Sequence, residues 1–96
     1  MKIYIAGKIT GFDKAKEVFK KKEIELIKRG DTVLNPTVLP YGFEHEEYMH
    51  ICYAMIDVCE KVYFLNNWNN SKGAKMELEY AITQGKRLEF QEEVSQ

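Results

Sequence analysis

Two short segments gather the residue types that can bind a small polar molecule and react with it. The first is Gly7-Lys8-Ile9-Thr10-Gly11, two glycines around a stretch that leads into a helix. Backbone amides in such a loop can face an anion. It has neither the GxxxxGK[ST] spacing of a Walker loop nor GxGxxG, and an ordinary strand-to-helix turn also accounts for it. The second segment runs from Trp68 through Asn69, Asn70 and Ser71 to Gly73 and Glu77. Ser71 suits a helix N-cap, which puts Glu77 in the second turn of that helix. On a helical wheel Ala74, Leu78 and Ala81 point inward with Ile82 beside them, Glu77 borders the stripe, and Glu79 lies on its other flank. A carboxylate on such a border can be partly desolvated and reactive. A solvated glutamate favoured by the positive helix end is the plainer account of the same spacing.

Other residues have lesser claims. Trp68 lies in a polar loop, where an indole can stack on a base or pack on a partner subunit. Tyr4 alternates with Ile3 and Ile5 and reads as packing. Tyr41-Gly42-Phe43 adds aromatic surface for a lid or an interface. Lys8, Lys14 and Lys16 form a positive spot sufficient for one phosphate group, whereas Lys20-Lys21-Lys22 reads as a solvated helix face. Cys52 and Cys59 are seven apart; in a helix that is about 10 Å along the axis, too far for a disulfide. They read as reduced core cysteines. His45 and His50 have no evident third ligand, so neither a metal nor a cofactor is expected.

The elements that must position these groups follow from period and punctuation. Lys2–Ala6 is a strand ended by Gly7. A helix starts near Asp13 and runs to about Arg29, stopped by Gly30, with Ile24 and Ile27 off its apolar stripe. Thr32–Leu34 is a second strand, stopped at Asn35-Pro36. A second helix runs from about His45 to Cys59, with Tyr48, Cys52, Met55, Ile56 and Cys59 on one arc. Val62–Leu65 is a third strand, apolar as a strand covered on both faces is. The helix capped by Ser71 ends at Gly85, and Arg87–Gln91 is a weaker fourth strand.

Strands alternating with helices imply parallel pairing and right-handed crossovers. The expected fold is an α/β three-layer sandwich of flavodoxin-like type, a four-stranded parallel sheet of order 2-1-3-4, in a single domain spanning residues 1–96. Ligands in such sheets bind beyond the C-terminal strand ends at the switch point, here between strands 1 and 3. Both chemistry-bearing segments fall there.

Composition bounds what this frame can serve. The chain of 96 residues is 45% apolar and 30% charged, with 14 basic and 15 acidic side chains and a formal net charge of -1. No basic field is present to hold a nucleic-acid backbone. No apolar run approaches the roughly 20 residues of a membrane helix. The start MKIYIAG does not read as a signal peptide, so a cytoplasmic location is expected. The exposed edges of so small a sheet lead to the expectation of a homodimer or higher homo-oligomer.

The segment Met76 to Lys86, MELEYAITQGK, resembles the ME-x-GYA-x-x-x-GK segment of nucleoside 2-deoxyribosyltransferases, and KIYIAGKITG resembles the opening of related deoxynucleotide N-glycosidases. Met49, Cys52, Cys59-Glu60, Trp68, Ser71, Gly73-Ala74 and Glu77 also match the pattern of a group of short phage and bacterial proteins in that superfamily. The resemblance implies a glutamate nucleophile at Glu77 that attacks C1′ of a deoxynucleoside or deoxynucleotide. Gly7, Lys8, Ile9, Thr10, Gly11, Trp68, Ser71 and Gly73 would then contact the substrate. The aspartate that protonates the departing base in those enzymes falls near Cys52 here, and the one that holds the base falls at Ser71. Glu44, Glu46 and Glu47 are candidates for a replacement acid. A binding module that keeps the pocket, or an oligomeric interaction protein, is the alternative.

Overall fold

The computed structural model describes residues 1–92. In chain order the elements are β1 (Lys2–Ala6), α1 (Ala15–Lys28), β2 (Thr32–Leu34), α2 (His45–Asp57), β3 (Lys61–Phe64), α3 (Lys72–Thr83) and β4 (Arg87–Phe90). Short 3-10 turns at Pro36–Val38 and Trp68–Asn70 fall in segments expected to be plain loops. The sheet has the order β2-β1-β3-β4 with every pair parallel, the flavodoxin-like α/β arrangement. Tyr4 of β1 pairs with Leu34 on one side and Val62 on the other, so it sits at the centre of the sheet.

Strand alternation divides the core between two layers. Ile3, Ile5, Tyr63 and Leu65 face α1, which contributes Ala15, Phe19 and Leu26. Tyr4, Ala6, Val62 and Phe64 face α2 and α3, which contribute Cys52, Ile56 and Ala81. Both cysteines are buried and free. Ile24 and Ile27, off the α1 stripe, are exposed.

Helix ends follow local chemistry and move several expected boundaries. α1 starts at Ala15 because tight turns from Ile9 to Phe12 and from Phe12 to Ala15 occupy the preceding residues. α2 stops at Asp57 rather than Cys59, whose amide already bonds to the Ile56 carbonyl as the chain turns into β3. At the end of α3, Gly85 has φ +69°, Lys86 N–H donates to the Ala81 carbonyl and Gly85 N–H to that of Ile82. This is the paired C-terminal pattern that glycine accommodates without strain. The Asn35-Pro36 stop also opens a turn: Asn35 Oδ1 accepts from the Thr37 amide at 2.9 Å and from Thr37 Oγ1 at 2.7 Å.

At the N-terminal edge of the sheet the termini of several elements are tied by charge. Arg29 forks both guanidinium nitrogens onto Glu89, at 2.9 and 3.0 Å, and its Nε donates to Asp31 at 2.7 Å. Lys61 also reaches Glu89 at 3.1 Å, and the Met1 ammonium lies 3.4 Å from Asp31.

Candidate active site

Glu77 lies deeper than its wheel position suggested. The inward face of α3 is built from Ala74, Glu77 and Ala81, all buried, while Ile82, expected beside the stripe, is 59% exposed. The two alanines bring α3 close to the sheet, and a hydrogen bond meets the carboxylate there. Tyr4 Oη donates to Glu77 Oε2 at 2.5 Å. Tyr4 is fully buried, as its packing reading requires, but its hydroxyl belongs to the site as well. Strand alternation revealed the face of Tyr4, and nothing local revealed the glutamate standing on that face.

Three groups share this point: Tyr4 from β1, Cys52 from α2 and Glu77 from α3. Burial pushes Glu77 up to about 7, partly offset by donation from the Tyr4 hydroxyl and the Cys52 thiol. Burial, and then the Glu77 charge, push the Cys52 thiol up to about 11 and hold the Tyr4 phenol well above its ordinary range. Both neighbours therefore stay protonated through neutrality and act as donors, while Glu77 is poised between acid and carboxylate.

The expected replacement acids stand elsewhere. The Glu44 backbone N–H donates to Glu47 Oε1 at 2.8 Å, closing the start of α2. Glu46 and Glu47 line a separate surface depression with Phe43, His50 and Ile51. Asp57 accepts from the Tyr80 hydroxyl at 2.6 Å, and Tyr80 stacks on Tyr53 with ring centroids 4.2 Å apart. Among the described residues no cluster of histidine, cysteine, aspartate and glutamate is placed to hold a metal ion.

The two loops flanking the switch point are tied together. Asn67 Oδ1 accepts from the Lys8 amide at 3.0 Å, and Lys8 Nζ donates to the Asn70 carbonyl at 3.1 Å. Gly7 makes this approach possible, because a Cβ there would lie 2.8 Å from Leu65 Cδ1 and 3.0 Å from Asn67 Oδ1. The Lys8 amide is thus already engaged within the protein, while Ile9, Thr10 and Gly11 are exposed. Asn67, absent from the sequence-derived candidates, is the residue that joins the loops.

Ser71 caps α3, its Oγ accepting from the Ala74 amide at 3.1 Å. It also lines an open depression of about 390 Å³ with Asn69, Asn70, Lys72, Lys75, Met76 and Glu79, on the outer side of the helix start. Glu77 is not part of that lining. Trp68 is half-buried rather than presented to solvent: its ring lies 5.9 Å from that of Phe64 and 5.7 Å from that of Phe90. Gly73 faces α2, with Met49 Sδ 3.5 Å and His45 Cε1 3.9 Å from the point a Cβ would occupy. Lys16 Nζ sits 5.3 Å from the centre of the Tyr41 ring, which is 84% exposed.

Comparison with known proteins agrees with this geometry at the level of fold. The model of a family described as a domain of unknown function (DUF4406) matches residues 1–90. No curated protein matches the chain. Among solved structures it is similar to a 2-desoxiribosyltransferase from Leishmania mexicana, with a TM-score of 0.72 and 23% identity. The match covers 93% of this chain and 62% of that one, so the chain spans less than two thirds of the length of that enzyme.

Proposed function

The chain belongs to the DUF4406 domain family, and on that premise we propose that it is a nucleoside or nucleotide N-deoxyribosyltransferase or N-glycosidase with Glu77 as nucleophile. The observation that carries this reading is the buried carboxylate of Glu77, held by the Tyr4 hydroxyl in a fold shared with a deoxyribosyltransferase. The ionised carboxylate attacks C1′ of the deoxyribose. The glycosidic C–N bond breaks, and its electron pair leaves with the base, which takes up a proton. Charge on the sugar ring peaks during this exchange, as in retaining glycosidases. Water or a second base then attacks C1′ and frees Glu77.

Tyr4 aims the carboxylate and leaves Oε1 free of any hydrogen bond from its hydroxyl. The Cys52 thiol adds a second donor at the same point. Incubating the protein with deoxynucleosides and their 5′-monophosphates, and following free base by chromatography, tests the reading. Release by the native chain and none by Glu77→Ala is the expected result; equal release by both overturns it.

A second reading, a nucleotide-binding module without turnover, is favoured by the placement of Glu44, Glu46 and Glu47 away from Glu77. Nucleotides would then raise the melting temperature with no base released, since binding to the native state alone stabilises it.

A further inference from the structure

α2 and α3 meet in successive rungs on the sheet. Ile56 and Ala81 lie together in the core, and Cys52 meets Glu77 one turn above. A further turn toward the helix starts, Met49 meets Gly73. Met49 precedes Cys52 by three residues and Gly73 precedes Glu77 by four, so each lies directly over its partner in the rung below. Met49 is only 7% exposed, although it stands one turn from the start of an exposed helix end. Its thioether sulfur lies against Gly73, 3.5 Å from the point a Cβ would occupy.

Glu77 lines neither the depression beside Ser71 nor the one beside Phe43, and only 5% of it is exposed. A ligand can therefore reach the carboxylate only if a covering group moves. Two of the groups about this point lie between the helices. The outer one, Tyr53 stacked on Tyr80, is anchored by the bond from Tyr80 to Asp57. The upper one, Met49, has a flexible apolar side chain with no polar anchor, held by contact alone. It also stands at the end of the sheet where ligands enter parallel α/β folds.

We propose that Met49 is a gate over Glu77, whose thioether must leave its contact with Gly73 before a ligand can touch the carboxylate. The gate opens by side-chain rotation, without breaking a backbone hydrogen bond. A shorter residue at position 49 leaves Glu77 open to solvent.

Labelling with a water-soluble carbodiimide and glycine ethyl ester, mapped by peptide mass spectrometry, tests this without any substrate. A negative result therefore leaves the glycosyl-transfer reading standing, and a failure of that reading leaves the gate standing. Met49→Ala is expected to label Glu77 about tenfold faster than the native chain, the change produced by about 1.4 kcal/mol of lost local closure. Met49→Leu, which keeps a long apolar side chain, is expected to label as slowly as the native chain. Alkylation of Cys59, buried just beyond the far end of α2, reports general loosening and is expected to stay unchanged. The proposal is overturned if Met49→Ala labels Glu77 at the native rate, or if Cys59 alkylation rises in parallel. Should Met49→Ala lack a native circular dichroism spectrum, Met49→Val carries the same comparison, with the same result overturning it.

Discussion

At the scale of single residues, the site rests on one phenol and one carboxyl group. Burial raises Glu77, and the Tyr4 hydroxyl works against that rise by preferring the charged form. Removing the hydroxyl leaves burial less opposed. On the proposed reaction, Tyr4→Phe is therefore expected to move the rising limb of a pH–rate profile for base release to higher pH than in the native chain and to slow release at neutrality. Steady-state assays across pH check this, and an unmoved limb would separate Tyr4 from the chemistry. Glu77 stood out in the sequence because the segment around it resembles that of known enzymes. Its depth did not, because a wheel weighted by hydrophobicity favours Ile82 over a glutamate. The donor that reverses this preference lies on another element. Tyr4 escaped for the same reason: a strand pattern reports a face and says nothing of what packs on it.

At the scale of elements, close approach between loops decides the geometry. Gly7 lets the turn after β1 lie against Leu65 and Asn67, and Asn67 then holds the Lys8 amide. Gly7→Ala would force the loops apart, since Leu65 is 1% exposed and has little room to yield. The expected cost is about 1–3 kcal/mol in urea unfolding, in the range of overpacked cores. The sequence predicted every strand and helix in the right order, because alternation, capping and glycine stops are local signals. It missed both 3-10 turns and the packing of Trp68. Trp68 stands on Phe64 and Phe90, and the strand that carries Phe90 was only weakly marked.

At the scale of the whole molecule, the charged cluster at the N-terminal edge of the sheet and the buried Glu77 respond to pH in opposite directions. At the N-terminal edge, Arg29 and then Lys61 hold Glu89 below its ordinary range. Burial alone would raise Asp31, but Arg29 and the chain's ammonium group outweigh it and bring it down. Their contribution is present above the ordinary carboxylate range and is lost as pH falls through the lowered values. Glu77 behaves the other way. Its contribution is complete below the ordinary glutamate value of 4.5 and is lost as pH rises through about 7. That loss is worth roughly 3 kcal/mol. Thermal melts from about pH 3 to about pH 9 are expected to peak near pH 5, between the two losses, and Glu77→Gln is expected to flatten the alkaline side. Finally, the Tyr4–Glu77 bond joins groups 73 positions apart in the chain. Closing a loop of that span carries an entropy cost that the intervening contacts of β2, β3 and α3 reduce. No fragment short of β1 through α3 contains both halves of the pair, so the candidate site is complete only in a chain folded from β1 through α3.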